Sequence, residues 1–292
     1  MKTFERILLA VLLVILAAVG VLRYITRDDT VPPEVPVPTE TVQPALPDAV
    51  PSAAPELTPE PTPEPTPEPT PEPTPEPTPD PDSPEGRALA KGLPKPPDID
   101  INSWEYILAN GENSIAEYVP PEVVNLENQP LDSRIIEPMK AMAEDTRAQG
   151  LNVFLSSGYR SYTEQASNFV RVCQNNGVSD GKNAQGFYIT MPAGCSEHQT
   201  GLACDITDVY YPLKDSSIEN TATFQYMSKH CHEFGFILRF PKDKEAVTGV
   251  MYEPFHYRYV GREAAVYMVE NNLCLEEFVA LYRDIVPVSG IA

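Results

Sequence analysis

The sequence is poor in positive charge. It contains 21 Lys and Arg residues against 42 Asp and Glu residues, which gives a formal net charge of −21 at pH 7. Proteins that bind nucleic acids need clustered Lys and Arg side chains to contact the phosphates. We therefore exclude nucleic acid as a partner.

Two common zinc-binding patterns are also missing. The chain has five cysteines but no Cys-x-x-Cys pair, which argues against a structural zinc ribbon. It also lacks the His-Glu-x-x-His pattern of many metalloproteases. Cys195 and Cys204 flank the histidine motif described below. They could form a disulfide or stay as small buried thiols, and the sequence leaves both open.

The N-terminus carries one long apolar run. Residues 7–22 are uninterrupted by charge and follow Lys2 and Arg6. This pattern predicts an N-terminal anchor segment over residues 1–27, with a cleaved signal peptide as the alternative. In both cases the rest of the chain lies outside the cytoplasm. With the anchor retained, we expect an extracytoplasmic protein attached to the cell membrane.

Residues 28–97 hold most of the 33 prolines, and residues 58–81 consist of six Thr-Pro-Glu/Asp-Pro tetrads. Proline fixes φ, removes an amide donor and pushes the preceding residue into extended conformations. The composition predicts a disordered, stiff polyproline-II spacer without regular secondary structure.

From residue 98 onward the composition is that of a globular domain. Alternating apolar residues predict strands near 151–157, 202–207, 236–240 and 255–259. Helical spacing predicts helices near 163–176, 224–234, 262–271 and 275–284, the first of them behind a Ser161/Glu164 capping box. The elements alternate without a regular βαβ rhythm. We therefore expect one α+β domain over 98–292, with a mainly antiparallel sheet flanked by helices, and a monomer.

Two segments of this domain carry candidate catalytic residues. The first runs from Ser196 to Asp205 and includes His198; the second is Glu253-Pro-Phe-His256. A catalytic zinc takes three His, Asp or Glu ligands and leaves one position open, and a nearby carboxylate accepts a proton from water. His198, Asp205 and His256 fit the ligand roles, and Glu253 fits the base.

Three motifs resemble a known family. They are Ser-Gly-Tyr-Arg-Ser-Tyr-x-x-Gln at 157–165, Ser-x-His-x-x-Gly-x-Ala-x-Asp at 196–205 and Glu-Pro-Phe-His-x-Arg-Tyr-Val-Gly at 253–261. In this order they resemble the D-alanyl-D-alanine carboxypeptidases of the VanY type. Those enzymes belong to the zinc peptidase group that also includes lysostaphin-like endopeptidases and the hedgehog signalling domain. The resemblance begins near Ile101 and continues to the C-terminus.

The resemblance implies Zn²⁺ on His198, Asp205 and His256, with Glu253 as the general acid/base. It also implies that Arg160 binds or polarises the substrate near the attacked carbonyl, and that Ser196 and Gln165 hydrogen-bond the peptide. The implied activity is hydrolysis of the terminal D-Ala-D-Ala bond of peptidoglycan stem peptides.

Four other functions remain open at this point. A D,D-dipeptidase or an L-Ala-D-Glu endopeptidase could use the same scaffold. A cell-wall-binding module without catalysis would not need Glu253. A tethered spacer protein would leave the grouped histidines and carboxylates without a role.

Overall fold

The computed structural model describes residues 78–286. Seven α-helices lie in this part of the chain: α1 Pro84–Ala90, α2 Ile136–Ala148, α3 Tyr162–Asn176, α4 Ala222–His230, α5 Glu245–Thr248, α6 Arg262–Glu270 and α7 Leu275–Tyr282. The strands are β1 Val123–Leu126, β2 Gln129–Asp132, β3 Phe154–Ser157, β4 Ala203–Thr207, β5 Phe236–Leu238 and β6 His256–Tyr259. Short 3₁₀ helices include Glu197–Thr200 and Cys231–Phe234.

A four-stranded sheet in the order β3-β4-β6-β5 positions the candidate site, and a separate hairpin pairs β1 with β2. All of these pairings are antiparallel. Asp205 on β4 lies directly opposite His256 on β6, and Ser157 on β3 lies opposite Asp205. Directly opposed residues project from the same face of a sheet. The strand register therefore brings a carboxylate and an imidazole together from distant parts of the sequence.

Two apolar clusters pack around this sheet. One joins α2 to the apolar side chains of the strands, and its members include Leu131, Ile135, Met139, Leu155, Leu202, Phe236 and Tyr257. The other joins α6 and α7 to the segment before β1, and its members include Tyr106, Leu108, Val260, Met268, Leu275 and Phe278. The sheet is thus covered by helices, and the predicted α+β class with an antiparallel sheet is confirmed.

The predicted elements appear with shifted ends. The capping box is present, since the Ser161 side chain accepts from the Glu164 amide and the Glu164 carboxylate accepts from the Ser161 amide. The helix predicted over 224–234 changes to a 3₁₀ turn after His230 and ends at Gly235, which adopts a left-handed conformation. Val170 on α3 is apolar but 54% exposed.

Helix α1 corrects the predicted end of the spacer. Ser83 caps it by accepting from the amide of Gly86, and Pro84 occupies the first turn, where its missing amide costs no hydrogen bond. Ala88 is 1% exposed within the cluster that includes α7. The prediction that residues 28–97 contain no regular secondary structure is therefore wrong for this helix, because its buried face packs on the domain.

The predicted anchor and most of the predicted spacer lie outside the described residues. Within 78–286, no helix combines the length and the apolar character needed to cross a membrane.

The five cysteines all lie within the described range, and none of them forms a disulfide. Cys204 is buried on β4 and Cys195 is half-buried. Of the two alternatives for this pair, the structure contains the free thiols.

Candidate active site

Three predicted metal ligands meet in one place. His198, Asp205 and His256 are 4%, 5% and 3% exposed, and one ligand atom from each lies within 4.8 Å of the others. They come from the 3₁₀ helix at Glu197–Thr200, from β4 and from β6. The sheet fixes two of the three side chains, and the 3₁₀ turn before β4 supplies the third.

The backbone holds the ring of His198. Its Nδ1 lies 2.7 Å from the carbonyl oxygen of Gly158, so Nδ1 carries the proton and donates it. Its Nε2 lies 3.5 Å from Asp205 Oδ1 and is left as the donor atom for a metal. Only glycine fits at 158, because a Cβ there would lie 2.2 Å from the carbonyl oxygen of Pro130.

His256 faces Asp205 with Nδ1, whereas His198 does so with Nε2. Its Nδ1 lies 3.1 Å from Asp205 Oδ1, and its Nε2 lies 3.6 Å from Glu197 Oε2. The two rings meet edge to face with centroids 4.9 Å apart. Nε2 of His198 and Nδ1 of His256 thus converge on the same carboxylate oxygen.

The unpaired atoms of the site fit a bound cation. Asp205 Oδ2 accepts from Lys214 Nζ at 2.5 Å, whereas Asp205 Oδ1 is buried without a hydrogen-bond partner among the described residues. His256 Nδ1 is likewise buried and unpaired there. Buried polar atoms without partners are costly, and metal coordination removes that cost. Two imidazoles and one carboxylate are a donor set suited to zinc.

The protonation states favour deprotonated ligands at two of the three positions. Burial lowers the pKa of His198 to about 4, and the charge of Arg160 adds to this effect. Burial alone would raise the pKa of Asp205, but Lys214 and His198 hold it well below its usual value. Burial opposes charge on His256, yet the carboxylates of Asp205 and Glu197 outweigh it and raise the pKa to about 9. A cation on Nδ1 would displace that ring's second proton.

Glu253 lies beside this group, as predicted. Its Oε2 is 3.6 Å from His256 Nδ1, and its side chain is 17% exposed. Its amide donates to the carbonyl oxygen of Phe240, which fixes the loop before β6. Burial and, to a smaller extent, the charge of Asp205 raise the pKa of Glu253 to about 7, although His256 acts in the opposite direction. A carboxylate with such a pKa can accept and return a proton near neutral pH.

Arg160 borders the same site through its backbone and side chain. Its amide donates to the carbonyl oxygen of His198, and its Nη1 donates to Gln165 Oε1 at 2.6 Å. Its Nε is buried with no partner in the described chain. The side chain therefore has a free donor in a buried position beside the candidate ligands.

The other two predicted substrate-binding residues differ from each other. Gln165 is 1% exposed, and both ends of its amide are used, because Nε2 donates to the carbonyl oxygen of Met191 and Oε1 accepts from Arg160. Its contacts are those of a residue that positions Arg160. Ser196 is 5% exposed, and its hydroxyl does not cap the 3₁₀ helix that follows it.

Sequence reasoning assigned no role to Glu197 or Lys214, although both contact the site. In the sequence, Glu197 stands out only as a charged residue directly between Ser196 and His198. The structure shows that this segment is buried. Lys214 is nine residues beyond Asp205 in an irregular loop, and no periodic pattern links the two.

The sequence and fold match those of known proteins. The family model described as VanY, D-alanyl-D-alanine carboxypeptidase, matches residues 128–262. A D-alanyl-D-alanine carboxypeptidase of Enterococcus faecalis is 34% identical over 187 residues, which cover 61% of this chain and 67% of that protein.

Two solved structures share the architecture. One is a mutant of the vancomycin resistance D,D-pentapeptidase VanY from a VanB-type resistance cassette, in complex with Zn(II). Its sequence identity is 33% and its TM-score is 0.51, and the match covers 61% of this chain and 99% of that one. The other is the LD-carboxypeptidase LdcB, with 29% identity, a TM-score of 0.54, and coverage of 65% and 94%. The matched residues 128–262 contain all three ligand candidates, Glu253 and Arg160. On this agreement of sequence and fold, the chain belongs to the VanY family of D-alanyl-D-alanine carboxypeptidases.

Proposed function

We propose that this protein is a zinc-dependent D,D-carboxypeptidase that removes the terminal D-Ala from D-Ala-D-Ala ends of peptidoglycan stem peptides. The observation that carries the proposal is the convergence of His198, Asp205 and His256 within 4.8 Å, with Glu253 beside them. Family membership supports the bond, and the Zn(II) complex of the related VanY supports the metal.

His198 Nε2, Asp205 Oδ1 and His256 Nδ1 are the atoms that would hold the zinc. When bound, zinc supplies a Lewis acid that polarises a carbonyl and makes water more acidic. The second oxygen of Asp205 stays on Lys214, so the carboxylate cannot rotate freely.

Glu253 moves the proton. As a carboxylate it accepts a proton from the attacking water, and as a carboxylic acid it delivers that proton to the nitrogen of the leaving D-Ala. Its half-buried position, which raises its pKa to about 7, lets it serve in both directions.

Arg160 supplies fixed positive charge. Gln165 holds one guanidinium nitrogen and the Arg160 amide is bound to His198, so the group is oriented before the substrate arrives. Its unpaired Nε can donate to the oxygen on which negative charge develops when the peptide carbonyl is attacked.

An L,D-carboxypeptidase is the second candidate, favoured by the shared fold of LdcB. It would remove a D-residue that follows an L-residue instead of a D-residue. The dipeptidase predicted as an alternative would split free D-Ala-D-Ala and leave the pentapeptide uncut, and the endopeptidase would cut the stem near the sugar.

One incubation separates these activities. The full-length chain is given a muramyl pentapeptide ending in D-Ala-D-Ala or the matching tetrapeptide, and the products are weighed. We expect loss of one alanine from the pentapeptide, an unchanged tetrapeptide, and no reaction with Glu253→Gln. Release of the dipeptide, cleavage of the tetrapeptide alone, or an uncut pentapeptide would contradict the proposal.

The location is also part of the proposal. The apolar N-terminal run and the proline-rich tetrads would hold the domain outside the membrane and at a distance from it, near the assembled wall. Deleting residues 58–77 should leave hydrolysis of soluble pentapeptide unchanged and reduce trimming of wall in cells. A scrambled proline-rich insert of equal length should restore trimming; failure of that insert would mean that the tetrads bind a partner.

A further inference from the structure

Glu197 is a fully buried carboxylate directly before a ligand, and its two oxygens have different surroundings. Oε1 accepts from Arg239 Nε and from Arg258 Nη1, both at 2.7 Å. All three side chains are at most 1% exposed. Two charge-assisted hydrogen bonds on one oxygen keep the group ionised in the core.

The other oxygen faces the ring of His256. Oε2 is buried and has no hydrogen-bond partner in residues 78–286. It lies 3.6 Å from His256 Nε2, which is also buried and unpaired in that range. Two polar atoms that lack partners and face each other at this separation need only a shift of less than about 1 Å to reach hydrogen-bond distance.

Whether this pair forms a hydrogen bond depends on which ring nitrogen of His256 carries the proton. An imidazole that binds a metal through Nδ1 must carry its proton on Nε2. In His256 that N–H would point at Glu197 Oε2, on the side opposite Asp205. Histidines that ligate metals usually donate their other N–H to a carboxylate or a carbonyl, and such contacts fix the ring and raise its basicity.

We propose that Glu197 is a positioning residue for the metal site: it accepts the Nε2 proton of His256 and thereby selects Nδ1 as the metal donor. His198 is arranged the other way, because a backbone carbonyl accepts its Nδ1 proton and Nε2 faces the metal position. A neutral carbonyl thus accepts the ring proton of His198, whereas an anionic carboxylate accepts that of His256.

The other hydrogen bonds of Arg239 and Arg258 keep Glu197 in place. Arg239 also donates to both oxygens of Glu276 on α7, at 2.8 and 2.6 Å, and Asn110 donates to the same carboxylate. Arg258 donates to the carbonyl oxygens of Glu105 and Ile107. The carboxylate that faces His256 is therefore anchored, through the two arginines, to α7 and to residues 105–110.

The proposal depends on the metal site proposed above and is tested by zinc affinity. Glu197→Gln keeps the size of the side chain and removes its charge, and Glu276→Gln is the matched control, since it also removes a buried carboxylate from Arg239 but does not touch His256. Zinc dissociation constants of the full-length chain are measured by chelator competition. We expect Glu197→Gln to weaken zinc binding about 10- to 100-fold, the usual effect of losing such a contact, and Glu276→Gln to change it less than about 3-fold.

Equal weakening by both variants, or an unchanged constant in Glu197→Gln, would overturn the role of Glu197. Failure of the wild-type chain to bind zinc would instead overturn the metal site itself. If Glu197→Gln does not fold, the wild-type chain still decides the matter. Nitrogen NMR of its zinc-loaded, histidine-labelled form should show His256 protonated at Nε2 and coordinated through Nδ1, with the reverse for His198. A proton on Nδ1 of His256 would sink the proposal.

Discussion

The two candidate histidine ligands are held in opposite ways. On one side, His198 rests on the carbonyl oxygen of Gly158 and its own carbonyl accepts the amide of Arg160, so backbone atoms determine its position. On the other side, His256 faces Glu253, Asp205 and Glu197, and Glu197 is held by two arginines. Backbone contacts hold the first ligand, whereas buried charges surround the second.

Because of this difference, substitutions can test the geometry of the site and its electrostatics separately. Backbone atoms of the His198 side cannot be removed by substitution, and they are disturbed only by a residue that changes the path of the chain. Side chains around His256 can be neutralised one at a time without moving the backbone. We therefore expect substitutions near His256 to change chemistry and those near His198 to change stability as well.

The largest effect is expected for Glu253→Gln, on the His256 side. The amide cannot accept a proton from water, so turnover should fall about 10²- to 10⁴-fold, the usual contribution of general acid/base catalysis. Zinc content, measured by atomic emission, should stay near that of the wild type because Glu253 is not a ligand candidate. Wild-type turnover in this variant would remove Glu253 from the mechanism.

Arg160→Ala is expected to come next, on the His198 side. Loss of one donor to a developing oxyanion costs about 10²- to 10³-fold in kcat. The backbone hydrogen bond from residue 160 to His198 remains in this variant, so zinc affinity should change little. A normal kcat with weakened zinc binding would show that the side chain supports the metal site and not the substrate.

Gly158→Ala tests the backbone that supports His198. The new Cβ would lie 2.2 Å from the Pro130 carbonyl oxygen, so the chain must move, at a cost of about 1–3 kcal/mol of unfolding free energy. Gly111→Ala is the control, because its Cβ meets only the ring of Tyr188, at 3.0 Å. Urea titration should show a clear loss for the first variant and a small one for the second. Equal losses would mean that position 158 has no special steric requirement.

The fold class and the grouping of His198, Asp205 and His256 could be predicted from the sequence because both follow from local patterns. Alternation located β4 and β6, and their antiparallel pairing brings Asp205 and His256 together. The capping box located the start of the helix that follows Arg160. The spacer ends earlier than the sequence predicts. Prolines at 94, 96 and 97 extend the proline-rich composition past α1, and that helix is stabilised by packing against α7.

The charged surroundings of the site could not be predicted in the same way. Arg239 and Arg258 are fully buried, although their residue type favours exposure, and each is satisfied by partners more than 30 residues away in the sequence. Lys214 reaches Asp205 from an irregular loop. Such contacts follow from the tertiary arrangement and leave no periodic signal in the sequence.

The smallest effect is expected for Gln165, and it decides between two roles. The resemblance implies contact with the peptide, whereas the structure commits Oε1 to Arg160 and Nε2 to the Met191 carbonyl. If Gln165 acts by orienting Arg160, Gln165→Ala should lower kcat/KM by less than about 10-fold, roughly the effect of one neutral hydrogen bond. The same change should then have no further effect in a chain that already carries Arg160→Ala, because coupled residues are not additive. A full additional loss in the double variant would show that Gln165 binds the substrate directly.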